Sequence, residues 1–226
     1  MIVRNPNRPS HSETRSLLNI AVVGHTNTGK TSLIRTMLRS TEFGMIEDAA
    51  GTTRHVEQAT ISADNGPVLN LYDTPGLEDS RALSAHIKKL HARSGSLSSA
   101  QILEYFVTHV SVNDPLEQEA KVIRQILRSD ILLYIIDVRE PFLEKYRLEL
   151  DVLTQSAKPM IPVFNFIAEH NQELAKWRQH LAGYHMHATL EFDTVAFTFE
   201  AEKRLYQKIQ FLVESHYTPL QRLIDY

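Results

Sequence analysis

The stretch Gly24-His25-Thr26-Asn27-Thr28-Gly29-Lys30-Thr31 fits Gly-x-x-x-x-Gly-Lys-Ser/Thr, a loop whose backbone amides cradle phosphate groups. Its flanks decide the fold. Leu18-Asn19-Ile20-Ala21-Val22-Val23 before it is a short apolar run of the kind that forms a buried strand. Ser32-Leu33-Ile34-Arg35-Thr36-Met37-Leu38 after it carries apolar residues at helical spacing. Strand, glycine loop and helix in that order are the context the motif requires. Gly24 and Gly29 let the backbone turn its N–H groups inward, and the helix N-terminus adds a field that favours anions. Lys30 is placed to reach the β- and γ-phosphates, and Thr31 to offer its hydroxyl to Mg²⁺. Thr28 and Ser32, within and just after the loop, complete the expected phosphate contacts.

The bulk properties narrow the class. The 226 residues suffice for one large domain or one domain plus an appendage. Apolar residues make up 42% and charged residues 23%, an ordinary globular balance, and the formal net charge of −3 supplies no global field toward nucleic acid or anionic membrane. The absence of cysteine removes disulfides, thiolate metal sites and cysteine nucleophiles. No apolar run approaches the roughly 20 residues of a spanning helix. Residues Met1 to Ser16 lack the apolar core of a secretory signal and read as a flexible lead-in. These features give the expectation of a cytoplasmic chain with no transmembrane segment and no nucleic-acid partner.

Further along, Ser40–Arg54 reads as a loop punctuated by Gly44 and Gly51, and His55–Ile61 as an edge strand. Asp64-Asn65-Gly66-Pro67 is a turn signal, so Val68–Tyr72 should close an antiparallel hairpin. Three helical patterns follow, at Arg81–Arg93, Ser98–Val110 and Leu116–Arg128, with Ser98 and Asp114 as candidate N-caps. Ile131–Ile136 is a continuous apolar run. Phe142–Ser156 has Leu143, Tyr146, Leu150 and Leu153 on one helical face. Met160–Asn165 reads as a strand despite Pro162, followed by a helix at Glu169–Leu181, a strand at His187–Phe192 and a helix at Glu200–His216. Strands alternating with helices imply an α/β sheet covered on both faces.

The predicted strand Val68–Tyr72 runs into Asp73-Thr74-Pro75-Gly76. In an open α/β sheet, ligands bind at the carboxyl ends of strands, so Asp73 and the glycine loop share one rim. A carboxylate there can hold Mg²⁺ through water, and the Gly76 N–H can bond a γ-phosphate.

These motifs together resemble the Era and TrmE class of translation-factor-related GTPases. Gly24, Asn27, Gly29, Lys30 and Thr31 match its phosphate loop; Gly51, Thr53 and Arg54 match its first switch; and Asp73, Pro75, Gly76 and Leu77 match its second. Gly-His-Thr-Asn-Thr-Gly-Lys-Thr, Gly-Thr-Thr-Arg-His-Val-Glu and Tyr-Asp-Thr-Pro-Gly-Leu-Glu-Asp resemble more closely a bacterial family of GTPases with an uncharacterised C-terminal domain. The resemblance implies a P-loop NTPase fold, a Ras-like three-layer sandwich with a mostly parallel six-stranded sheet. It implies binding of GTP and GDP, and slow hydrolysis that depends on Mg²⁺. Lys30, Thr53 and Gly76 would act on the γ-phosphate, and Thr31, Thr53 and Asp73 would hold Mg²⁺, with Thr52 the weaker alternative to Thr53. In potassium-activated members of the class the residue matching Asn27 helps hold K⁺, which here implies K⁺-stimulated hydrolysis. Against that stands the plainer reading that Asn27 only stabilises the loop.

Two departures stand out. Leu77 occupies the position where many small GTPases orient the attacking water with glutamine, and leucine has no donor or acceptor. Glu78, Asp79 and Arg54 are nearby substitutes, each weighed against a solvated loop role. At the base end, the class pattern Asn-Lys-x-Asp becomes Asn165-Phe166-Ile167-Ala168. Asn165 remains, Phe166 is able to stack on a purine, and the carboxylate that reads guanine is missing. Glu169 and Asp193 are substitute candidates, each weighed against a plain cap or loop role.

The expected organisation is a lead at 1–16, a GTPase domain at 17–216 with a helical insert at 77–129, and a tail or the start of another domain at 217–226. The insert exceeds what a compact domain of this class needs by on the order of thirty residues, and long insertions are usually functional. It is expected to respond to the nucleotide and to contact a protein partner or the C-terminal domain, weighed against a static cap. Two other functions compete, a non-hydrolysing or ATP-accepting nucleotide-binding module and a small-molecule kinase. His185-x-His187 lacks a third ligand nearby, Lys88-Lys89 reads as a solvated face, and Trp177 as core.

Overall fold

Both faces of the central strands are apolar, and the chain covers both. Every residue of β4 (Ile131–Asp137) is buried. Leu132, Tyr134 and Ile136 face one layer, while Ile131, Leu133 and Ile135 face the other. β1 (Leu18–Val23) alternates in the same way. Two-sided burial is why these strands read as continuous apolar runs rather than alternating ones. Each fully buried Leu, Ile or Val contributes roughly 1.5–3 kcal/mol.

The computed structural model describes residues 17–40, 55–64, 66–168, 170–194 and 198–225. Among these, six strands form one sheet: β1, β2 (Glu57–Ala63), β3 (Gly66–Asp73), β4, β5 (Met160–Asn165) and β6 (Leu190–Glu191). Their order is β2-β3-β1-β4-β5-β6, parallel throughout except for the β2–β3 hairpin at the edge. One face carries α1 (Lys30–Leu38), α7 (Phe199–Leu212) and α8 (Tyr217–Asp225). The other carries α2 (Ser80–Arg93), α3 (Ser99–His109), α4 (Glu117–Arg128), α5 (Glu144–Leu153) and α6 (Asn171–Ala182). This is the three-layer α/β architecture expected from the sequence.

The 77–129 insert belongs to the core. Leu83 and Ile87 of α2, Ile102, Leu103 and Phe106 of α3, and Val122, Ile123 and Ile126 of α4 are buried in the same cluster as Leu132, Tyr134 and Ile136. α4 lies on β1, α3 bridges α4 and α2, and α2 lies along α5. Ser98 caps α3 in a full capping box with Gln101. Asp114, expected as the α4 cap, sits too early. Leu116 takes the cap position, and Asp114 Oδ1 instead accepts from the Leu116 N–H at 2.8 Å in a local turn.

Other expectations shift for identifiable reasons. Pro162 is tolerated inside β5 because its missing N–H points to the β6 side, where β6 pairs only with Val163 and Phe164. Leu143 precedes α5 as its N-cap residue and is exposed, so only Tyr146, Leu150 and Leu153 of the expected face are buried. The strand expected at 187–192 shrinks to two residues. The closing helix breaks at Val213, and residues beyond it form α8, whose Leu220 and Ile224 pack into the same layer as α7. No helix among the described residues is long and apolar enough to cross a membrane.

Candidate functional site

The loop between β1 and α1 turns at the carboxyl edge of the sheet, beside the ends of β3 and β5. Gly29 adopts φ 94°, and a Cβ there would lie 2.2 Å from Asn165 Nδ2. Only glycine permits both the left-handed turn and that approach. Gly29 is also the N-cap of α1 and offers no side chain to the first-turn amides, the arrangement an anion site uses.

Lys30 is buried, and its Nζ donates to the His25 carbonyl at 2.7 Å and the Gly24 carbonyl at 3.3 Å. Burial lowers its pKa to about 8, against the opposing pull of Asp73, Glu149 and Glu78. Thr31 Oγ1 donates to Asp73 Oδ2 at 2.5 Å, bringing together the two expected Mg²⁺ ligands from α1 and β3. Thr74, which follows Asp73, donates to the Val22 carbonyl at 2.8 Å and fixes the strand end to β1. Two hard oxygens at one rim are the donor set that suits Mg²⁺.

The segment that follows β3 lies against the loop. A Cβ on Gly76 would come within 2.8 Å of the Thr26 Cα and 2.7 Å of its N, so the close approach demands glycine. The Leu77 N–H donates to the Gly24 carbonyl at 3.3 Å, and the Leu77 side chain is fully buried in the α2–α6 layer. Thr26 Oγ1 donates to Glu78 Oε1 at 3.2 Å. Asp79 is the N-cap of α2, accepting from the Ala82 N–H, and its own N–H donates to Glu119 of α4. Asp79 therefore serves as a helix cap.

At the base end, Asn165 is fully buried. Its Nδ2 donates to the Thr28 carbonyl at 3.0 Å, while its Oδ1 accepts from the Phe166 N–H, the Thr194 N–H and the Thr194 hydroxyl. These bonds join the phosphate loop, the end of β5 and the loop after β6. Phe166 has φ 58°, and its ring carries the Arg139 guanidinium 3.8 Å from the centroid. Asp137 at the end of β4 holds that guanidinium with contacts of 2.6 and 2.9 Å. Asp193 Oδ2 accepts from the Ile167 N–H at 3.2 Å. Ser32 is exposed on the first turn of α1, and Asn27 is exposed at the loop tip with φ 64°.

Gly51, Thr52, Thr53, Arg54 and Glu169 lie outside the described residues. No group of three metal-ligating side chains occurs among the described residues, so His185 and His187 gain no third ligand. Trp177 is core, as expected, and donates to the Glu140 carbonyl at 2.9 Å.

Three further groups carry little signal in the sequence alone. Asp137 ends the buried strand β4 on the ligand rim and Arg139 lies just beyond it, a placement that is a usable signal. Thr194 lies in the loop after β6, where no local pattern marks it. Glu149 sits three residues after Tyr146 on the buried face of α5, so a charge on an apolar stripe was its only mark.

A family model described as the 50S ribosome-binding GTPase matches residues 19–166, and one described as a domain of unknown function (DUF3482) matches residues 178–226. The tRNA modification GTPase MnmE of Staphylococcus haemolyticus is 26% identical over 123 residues, covering 54% of this chain and 26% of that protein. MnmE of Oceanobacillus iheyensis is 29% identical over 144 residues, covering 64% and 29%. The chain thus spans under a third of these relatives' length. Among solved structures, Era in complex with MgGDPNP and a 16S ribosomal RNA segment superposes with a TM-score of 0.59 at 17% identity, over 87% of this chain and 56% of that one. A bacterial selenocysteine-specific elongation factor, EF-Sec, gives 0.58 at 19% identity, over 88% and 29%. These two likenesses concern the fold.

Proposed function

We propose, from the premise that the chain belongs to the 50S ribosome-binding GTPase family, that it binds GTP with Mg²⁺ and hydrolyses it slowly to GDP and phosphate as a nucleotide-dependent switch. The Thr31–Asp73 contact at 2.5 Å carries this reading, since it joins the loop hydroxyl and the strand-end carboxylate beside a buried lysine. Lys30 and the loop amides would hold the β- and γ-phosphates, and Thr31 and Asp73 would hold Mg²⁺, with Thr53 as a further ligand. Bound there, Mg²⁺ would neutralise negative charge on the triphosphate as GDP leaves the γ-phosphoryl group. Gly76 would present its N–H to the γ-phosphate. Asn27, exposed at the loop tip, would hold K⁺ where charge develops in the transition state.

Slow hydrolysis follows from Leu77, which is buried and apolar where a water-orienting group would stand. The base would stack on Phe166, without a carboxylate at Ala168. The insert would report the nucleotide state outward. Glu119 holds the Asp79 N–H at the exit of the second switch, and Val112, 79% exposed, offers apolar surface for a protein partner.

The test is phosphate release from GTP with Mg²⁺, with EDTA, and in a Lys30→Ala control. Release above the control, abolished by EDTA, is expected. GTP binding without release would instead support a non-hydrolysing module, the second reading that Leu77 favours. Competition by ATP at equal affinity would overturn the guanine part alone.

A further inference from the structure

Against the phosphate loop, on the sheet face that carries α5, lies a carboxylate that the proposed chemistry does not use. Glu149 of α5 is fully buried. Its Oε1 lies 2.7 Å from His25 Nδ1, and its Oε2 accepts from the Tyr134 hydroxyl at 2.9 Å. Burial and the neighbouring carboxylate raise the Tyr134 pKa well above its ordinary value, so that hydroxyl stays a donor. An ionised Glu149 has only acceptors, so with Tyr134 donating to one oxygen the other takes the His25 Nδ1–H. The Tyr146 ring packs edge-on against the imidazole, 5.7 Å between centroids, and Trp177 packs edge-on against Tyr146. The imidazole is thereby held in one orientation by α5.

Stability alone does not account for this carboxylate. An apolar side chain at the same position would fill the core without the cost of burying a charge. What the carboxylate grips is the hub of the loop. The His25 carbonyl accepts both Lys30 Nζ at 2.7 Å and Thr28 Oγ1 at 3.0 Å. The same carboxylate also favours the charged form of Lys30 against burial.

We infer that Glu149 is a positioning residue for the phosphate loop, acting through the His25 ring to hold the His25 carbonyl where it receives Lys30 and Thr28. The inference rests on the reading of this loop as the phosphate site. It also links the insert to that site, because α2 lies along α5, the helix that carries Glu149.

The experiment uses the full chain as wild type, His25→Ala, Glu149→Gln and the double variant, with fluorescent GDP affinity and amide exchange of the 24–31 segment as readouts. Glu149→Gln keeps the size and an acceptor, so the fold is retained. Each single variant is expected to weaken GDP by about tenfold, with faster exchange in the loop and unchanged exchange in β1 and β4. The double variant should be no weaker than the poorer single variant, the signature of two groups acting as one. Additive losses, or unchanged affinity with only a lowered melting temperature, would overturn the positioning role. A wild type that binds no guanine nucleotide would remove the functional reading, and the exchange measurement would still decide the role of Glu149: unchanged loop exchange overturns it.

Discussion

The Arg139 guanidinium lies 3.8 Å from the centre of the Phe166 ring, held there by Asp137. A cation over the ring fixes its plane at a site where the family pattern has a flexible lysine. The ring also abuts the phosphate loop, with Cζ 3.5 Å from where a Cβ on Gly29 would sit.

Phe166→Ala should therefore weaken GDP by roughly 1–3 kcal/mol, the usual worth of a base stacked on an aromatic ring. IDP should weaken in parallel and bind nearly as well as GDP, because Ala168 gives the guanine 2-amino group no acceptor. A competition titration of the two diphosphates checks this. A large preference for GDP would show that another carboxylate reads that edge.

Asn165→Ala removes the bonds joining Thr28, Phe166 and Thr194 and leaves buried donors and acceptors unpaired. Each unsatisfied group costs about 1–3 kcal/mol. Thermal melting and GDP titration should both fall, since the same amide holds the core and the phosphate loop. An effect on binding without a change in melting temperature would contradict the clamp.

Much of this is legible in the sequence, and what is not has physical reasons. The loop, the strand ending at Asp73 and the buried run of β4 are local signals, set by glycine conformation and by periodicity. Asn165 is expected at the site from the resemblance, but its bonds to Thr28 and Thr194 depend on tertiary neighbours far apart in sequence. Glu149 meets His25 across 124 positions, a pairing no periodicity encodes. The insert divides in the same way: its three helical patterns are local signals, while the burial of Ile102, Phe106 and Ile123 in the main core is set by tertiary packing.

Lys30 gives a pH dependence with a defined sign. Its folded pKa, about 8, lies below the ordinary lysine value of 10.5. Between these values the unfolded chain binds more protons, so the ligand-free protein should gain stability from this group as pH rises through 8. Phosphates favour the charged lysine, so GDP affinity should be level below pH 8 and fall by up to about tenfold per pH unit above it. Calorimetry in buffers of different ionisation enthalpy should detect proton uptake on binding near pH 8. No uptake and a level affinity from pH 7 to 9 would place Lys30 fully charged in the free protein.

Asn27 allows the cation proposal to be tested without disturbing the loop. Its φ of 64° lies in the left-handed region, where alanine is strained and glycine is not. Asn27→Gly should therefore preserve the loop and GDP affinity while removing the side-chain amide. If that amide holds K⁺ beside the phosphates, wild-type GTP turnover should be faster in KCl than in NaCl, and Asn27→Gly should turn over at one rate in both. An arginine finger in related chemistry is worth about 10³–10⁵ in rate, which sets an upper range for a cation held in its place. Equal wild-type rates in the two salts would leave Asn27 as a backbone residue of the turn, and the glycine variant would then match wild type throughout.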